Sequence, residues 1–228
     1  MTSSPLACAT CPVRDRAACS ALGGEERADL ARLGRHRTLV PGEVLFAADE
    51  DNDRCATLVR GALKISATER DGSERILSLV HPAGFVGELF APVARFEVAA
   101  LTASEVCLFS RREYEAAVER YPALARALLR RSSEDLFDLR SLVGIVGRHS
   151  AREKMAAFLL AMARAASSSP CQPAASFDLP LSRAEIGGML GLTIETVSRQ
   201  LTALEKSGAI RRVGLRGIEL VDAAQLGS

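Results

Sequence analysis

The apolar residues of this chain change their period near Arg111, and that change constrains the fold more than any other feature. Before it, between Leu39 and Phe109, short apolar runs are separated by turn chemistry: Pro41-Gly42, Asp49 to Asp53, Gly61, Asp71-Gly72, and Pro82 with Gly84 and Gly87. Short strands spaced in this way predict a barrel or jelly roll. Ala62 to Thr68 and Arg75 to Val80 flank Asp71-Gly72 and predict a hairpin, because Asp and Gly tolerate the positive φ of a tight turn. After Arg111, Leu129, Ser132, Leu136, Leu139, Val143 and Val146 step by three and four, which predicts one long helix with an apolar seam. Such a seam serves either packing within the chain or self-association. Gly144 and Gly147 each cost about 1 kcal/mol of helix propensity relative to Ala. A second helix is expected over Ala151 to Ala165, followed by a loop from Ser167 to Pro173.

With 228 residues the chain has room for two modest domains, and 48% hydrophobic with 25% charged residues is an ordinary globular composition. That excludes a small disulfide scaffold and a disordered polyelectrolyte. Lys+Arg 29 against Asp+Glu 28 gives a net charge of +1, which leaves nucleic-acid binding open because counterion release depends on local phosphate contacts. The longest aliphatic stretch, Met155 to Ala163, is far short of the ~20 residues that cross a bilayer. The N-terminus lacks the basic start and apolar core of a signal peptide, so a cytoplasmic protein with no membrane partner is expected. In that compartment six cysteines point to metal or redox chemistry rather than structural disulfides.

Near the C-terminus, Ser182 and Glu185 have the spacing of a capping box, so a short helix should begin at Arg183 and stop at Gly191. Thr193 caps a second helix running toward Gly208. Around that helix Ile194, Val197, Leu201 and Leu204 form the expected buried stripe, and Glu195, Ser198, Arg199 and Thr202 face away from it. Arg can donate two bonds to guanine, Glu can accept from cytosine, and Ser can serve a base edge or phosphate. A solvated helix face is the plain alternative for these residues taken alone. The next residues, Ala209 to Val213 and Ile218 to Val221 around Gly214 to Gly217, read as a hairpin with Arg at its tip and root. The whole is a winged helix-turn-helix.

The segment Ile186 to Arg199, IGGMLGLTIETVSR, closely resembles the recognition motif of the CRP/FNR family of bacterial transcription regulators. Its Glu-x-x-Ser-Arg spacing resembles the FNR branch, whose targets are inverted repeats of the TTGAT type. The resemblance covers nearly the whole chain. It implies that Glu195, Ser198 and Arg199 read bases, with Thr193, Thr196 and Arg183 beside them on the DNA. It implies an α+β fold: an N-terminal cyclic-nucleotide-binding-like β jelly roll, a long dimerisation helix, and a C-terminal winged helix-turn-helix. The corresponding ranges are 1–30 for a cluster-ligand segment, 31–120 for a β-barrel sensor domain, 121–150 for the dimerisation helix, and 151–228 for the DNA-binding domain. Leu136, Leu139, Val143 and Val146 would form the homodimer seam.

Nucleotide sensors in this family follow a Gly-Glu-Leu segment with Arg-Ser or Arg-Thr. Here Gly87-Glu88-Leu89 is followed by Arg95-Phe96, which lacks the hydroxyl, so no cyclic-nucleotide site is expected and the segment reads as a structural turn. Cys8, Cys11 and Cys19 form Cys-x2-Cys-x7-Cys, a thiolate set suited to an iron-sulfur cluster or to zinc. Zinc modules usually supply a second close pair, and none follows. The spacing resembles FnrN/FnrL-like oxygen sensors, and that resemblance makes Cys107 the fourth ligand of a 4Fe-4S cluster. It also implies oxygen as the signal, double-stranded palindromic promoter DNA as target, and RNA polymerase as a further partner.

Cys55, in the strand-like Cys55 to Val59, reads as a buried small hydrophobe, and Cys171 lies in the loop without a partner. His36, His81 and His149 are scattered, and no catalytic constellation emerges, so an enzyme is not expected. Three alternatives stand beside the oxygen switch. The thiols could act as a redox switch without iron; the barrel could hold a small effector; or the chain could store or transfer metal with no role on DNA.

Overall fold

The computed structural model describes residues 8–167 and 172–226, and the backbone of 3–5. Cys171 lies outside the described residues. The chain divides into two compact units, Met1–Leu136 and Phe137–Ser228.

Among the described residues of the first unit, eight strands and a short N-terminal one form two antiparallel sheets. The eight are β2 (Gly34–Leu39), β3 (Val44–Phe46), β4 (Arg54–Arg60), β5 (Leu63–Thr68), β6 (Glu74–Val80), β7 (Phe85–Val86), β8 (Glu97–Ala100) and β9 (Ser104–Ser110). With the N-terminal β1 (Ser3–Pro5), one sheet runs β1-β2-β9-β4-β7, and the other runs β3-β8-β5-β6. Strands distant in sequence are neighbours in space, which is the expected jelly roll. The core between the sheets contains Leu39, Leu45, Ala56, Leu58, Leu63, Val80, Val86, Val98, Ala100 and Val106. Full burial of one Leu from this set contributes about 1.5–3 kcal/mol. The Asp71-Gly72 hairpin forms, with Thr68 opposite Glu74, but its loop spans Glu69 to Ser73. Glu69 N–H donates to the Ser73 carbonyl at 2.8 Å, and the Asp71 carboxylate accepts from the Ser73 N–H and hydroxyl.

Side chains alternate across a sheet, and this alternation places the strand cysteines. Val106 and Leu108 of β9 and Ala56 and Leu58 of β4 face the inner core. Cys107 and Phe109, with Cys55 and Val59, therefore face the opposite side of the five-stranded sheet, and are packed in separate clusters. That side is covered by the N-terminal segment, α1 (Gly24–Leu33) and α2 (Arg111–Arg120).

Helix α3 (Pro122–Val146) is the expected long helix, and Gly147 lies just beyond its end. Leu124 and Ile145 are buried. Leu129, Leu136, Leu139, Val143 and Val146 are exposed, and so is Phe137, which the seam pattern does not include.

In the second unit, α4 (Ala151–Ala166), α5 (Arg183–Leu190) and α6 (Ile194–Lys206) accompany a three-stranded sheet of β10 (Ser176–Asp178), β12 (Gly217–Leu220) and β11 (Ile210–Val213), in that order. Met155, Phe158, Leu159, Ile186, Leu190, Val197, Leu201 and Leu204 supply buried apolar surface. Ile194 departs from the expected buried stripe and is 50% exposed. It begins α6, about 50° from the centre of the Val197, Leu201 and Leu204 stripe at 100° per residue, where no earlier turn covers it. Among the described residues no helix is long and apolar enough to cross a membrane.

Candidate functional sites: a helix-turn-helix and a cysteine pocket

Each part of the helix-turn-helix follows from local chemistry. The Ser182 hydroxyl accepts from Glu185 N–H at 3.2 Å, and Glu185 reaches back to the Ser182 N–H at 2.7 Å, completing the capping box. Gly191 ends α5 at φ 64°, in the left-handed region that glycine enters freely. Leu192 N–H donates to the Gly187 carbonyl at 2.9 Å and tightens the turn. The Thr193 hydroxyl then caps α6 by accepting from Thr196 N–H at 3.2 Å.

These features gather the six sequence candidates in one patch. Glu195 and Arg199 are exposed on α6, with Thr193 at its cap and Thr196 and Ser198 on its flanks. Arg183, from α5, donates to the Ser198 hydroxyl at 3.2 Å, and Arg199 donates to that of Thr196 at 3.4 Å. The Glu195 carboxyl is held below its usual range, first by its own backbone N–H and then by Thr193, so it is an ionised acceptor at neutral pH. Thr202 is half-buried rather than projecting, and its hydroxyl donates to the Ser198 carbonyl.

The wing forms as expected, but its root arginines are engaged. Arg212 pairs with Glu205 of α6, its Nε at 2.8 Å from the carboxylate, and Arg211 pairs with Glu219 on the facing strand. They fasten the hairpin, while Leu215 at the tip is fully exposed.

The second site lies in the first unit. Cys8 and Cys19 belong to short 3-10 turns, Cys8–Thr10 and Ala18–Ala21. Val13 and Ala17 anchor the intervening loop in an apolar cluster with Val59 and Ala83, where Cys11, Cys19 and Cys107 also pack. Two arginines that the sequence reading missed organise this loop. Arg27 of α1 donates to the carbonyls of Cys19, Ser20 and Leu22 at 3.0–3.2 Å, and Arg14 donates to the Ala9 carbonyl at 3.1 Å. Neither carries a pattern in the sequence, because each acts through carbonyls rather than through a motif.

One pocket is lined by Cys8, Cys11, Cys19 and Cys107, together with Thr57, Phe109 and Tyr114 from the covered sheet face and α2. Strand register places Cys107 opposite both His36 and Thr57. Cys55 does not line this pocket; it is fully buried beneath Gly87, where a Cβ would lie 2.8 Å from its Cα and Cβ. Burial and the neighbouring thiols push Cys107 up to about 12, and burial first, then other thiols, raises Cys8 and Cys19. Arg27 opposes the shift at both Cys8 and Cys19. Cys8, Cys19 and Cys107 therefore favour the neutral thiol unless a cationic partner is present. Among the described residues, no group of three or more His, Cys, Asp or Glu side chains is placed to hold a metal ion.

The Gly87-Glu88-Leu89 loop is satisfied internally. The Glu88 carboxylate accepts from the Arg95 N–H at 2.8 Å and pairs with its guanidinium. Phe90 N–H donates to Glu115 at 2.6 Å.

Residues 36–121 match the cyclic nucleotide-binding domain family, and residues 153–228 match the Crp-like helix-turn-helix domain family. The transcriptional activator protein FnrL of Cereibacter sphaeroides is 33% identical over 222 residues, covering 96% of this chain and 90% of that protein. The chain belongs to the CRP/FNR family of transcription regulators. The nitrogen fixation regulation protein FixK of Bradyrhizobium diazoefficiens is 32% identical to this regulator, over 96% of this chain and 92% of that protein. The solved structure of FixK2 from Bradyrhizobium japonicum superposes with a TM-score of 0.75 at 29% identity, covering 85% of this regulator and 96% of that chain. The family is one of regulators rather than enzymes.

Proposed function

We propose that this regulator is an oxygen-responsive homodimer that binds TTGAT-type inverted repeats and holds a 4Fe-4S cluster through Cys8, Cys11, Cys19 and Cys107. The observation that carries the reading is the convergence of three N-terminal cysteines and one distant strand cysteine on a single pocket that excludes the buried Cys55. The donor set fits the group. A single zinc ion needs its thiolates about 2.3 Å from one centre, whereas a cubic cluster presents iron at separate corners and takes thiolates spread around a cavity. When bound, such a cluster supplies an oxygen-sensitive iron-sulfide core whose integrity reports the ambient oxygen.

The protein's own residues do the rest. Arg14 and Arg27 hold the loop that carries three of the thiols, while β9 holds the fourth against it. On α3, Leu129, Leu136 and Val143 recur every seven residues, as do Ser132, Leu139 and Val146. This is the spacing of a two-helix seam, and a second copy of the chain is its occupant. A two-fold axis there sets two copies of α6 into successive major grooves roughly 34 Å apart. Glu195, Ser198 and Arg199 then read base edges, with Thr193, Thr196 and Arg183 on the flanking backbone. RNA polymerase is the further partner, and the cytoplasm is the setting.

A second reading keeps DNA binding and leaves the thiols without iron; it is favoured by the absence, among the described residues, of a three-ligand metal group. Anaerobic purification followed by visible spectroscopy and iron and sulfide analysis separates the two. The cluster reading expects about four iron and four sulfide per chain, lost as fully in Cys107→Ala as in Cys8→Ala and kept in Cys55→Ala, with colour and DNA binding lost together as air enters. An iron-free protein that binds the palindrome equally in air overturns it.

A further inference from the structure

Tyr114 is 1% exposed, with its ring packed against Phe85 and Phe109 at centroid distances of 5.2 and 5.0 Å. A phenylalanine would satisfy that packing equally well, so the hydroxyl is the atom that calls for an explanation. Buried tyrosine hydroxyls usually find an acceptor. Among the described residues this hydroxyl donates to no carbonyl, carboxylate or thiol, and the residue lines the cysteine pocket. Cys19 and Cys107 line the same pocket, and Cys55 shares the apolar cluster of Tyr114. The chain's other tyrosine, Tyr121, instead donates to Asp29 Oδ2 at 2.7 Å.

We infer that Tyr114 is a positioning and tuning residue whose hydroxyl donates a hydrogen bond to a metal-bound ligand sulfur, that of Cys19 or Cys107. This rests on the cluster reading above. Cys55 is the competing acceptor, but burial keeps it a neutral thiol, which accepts weakly. A metal-bound thiolate carries charge and accepts strongly. A hydrogen bond to a ligand sulfur draws electron density from it and makes the site harder to oxidise. Tyr114 thereby sets how fast dioxygen is registered rather than whether the site assembles.

The test compares Tyr114→Phe with Tyr121→Phe and the wild type, each purified without oxygen as the full-length protein. All three should carry equal iron and sulfide. In resonance Raman spectra the wild type and Tyr121→Phe should show an iron–cysteine stretching band that shifts on transfer to D2O, and Tyr114→Phe should have lost that sensitivity. Tyr114→Phe should also bleach in air roughly tenfold faster, the scale of one hydrogen bond to a charged acceptor. Equal bleaching rates and an unchanged D2O shift in iron-loaded Tyr114→Phe overturn the inference while leaving the cluster in place. A Tyr114→Phe protein that takes up no iron overturns it as well, because removing one donor leaves all four ligands. A wild-type protein without iron and sulfide refutes the cluster reading itself, and this inference falls with it.

Discussion

Two adjacent glycines in α5 should respond in opposite directions to the same substitution. At Gly188 an added Cβ meets nothing within 4 Å, and the residue is exposed within the helix. Alanine there should stabilise the protein by about 1 kcal/mol through helix propensity alone. At Gly187 the same Cβ would lie 2.6 Å from the Leu192 carbonyl oxygen, a backbone atom of the turn that leads into α6. A flexible side chain could swing away, but this oxygen can retreat only if the turn moves. Overpacking costs about 1–3 kcal/mol, and a backbone collision belongs at the upper end. Set against the same gain of about 1 kcal/mol in propensity, Gly187→Ala should lose about 2 kcal/mol. It should also weaken binding to an inverted-repeat duplex, because the displaced turn fixes how α6 is presented. Urea unfolding followed by circular dichroism, with fluorescence titration of the duplex, measures both quantities. Equal shifts of the same sign for the two variants, or full DNA affinity in Gly187→Ala, refute the reasoning.

Arg199→Ala and Glu195→Ala should each cost about 1–3 kcal/mol of binding to the preferred repeat and relax the preference at one base position, with fold stability unchanged; titration against single-base variants of the duplex reads this out. Val143 is 72% exposed, so Val143→Asp should leave the chain folded while converting a sedimenting dimer to monomer. A dimer that persists in that variant removes the seam assignment. Burial, reinforced by the Arg131 guanidinium, lowers His81 from 6.5 to about 4. The unfolded chain therefore binds a proton that the folded chain refuses, so the stability linked to His81 is full above pH 6.5 and is lost as pH falls toward 4. The linked effect is up to about 3 kcal/mol. His81→Gln should flatten the acid limb of the stability profile by that amount, as measured by urea midpoints between pH 7 and 4.

Local chemistry carried much of the fold into view. The capping box at Ser182 and Glu185, the Thr193 cap and Gly191 delimit α5 and α6 by interactions within a few residues, so they could be read without a partner element. The hairpin around Asp71-Gly72 was legible for the same reason, although its loop took five residues because Asp71 and Ser73 bond to each other. Ile194 was misassigned because helical angle alone does not say where the covering neighbour ends. The sequence shows Arg211 and Arg212 at the root of the wing, but only the fold sets Glu219 and Glu205 beside them.

The cysteines divide the same way. The spacing of Cys8, Cys11 and Cys19 is a property of one short segment, and strand alternation puts Cys107 on a defined face of β9. Alternation also puts Cys55 on the same sheet face, one strand away and two residues out of register with Cys107. Nothing local distinguishes the two. What separates them is long-range packing: Gly87 and the residues around Tyr114 seal Cys55, while Val13, Ala17 and Arg27 bring the N-terminal loop over Cys107. Helices, caps and turns were set by the sequence itself, because their energies are paid within a few residues; which thiols share a pocket was decided only when distant segments covered one face of a sheet.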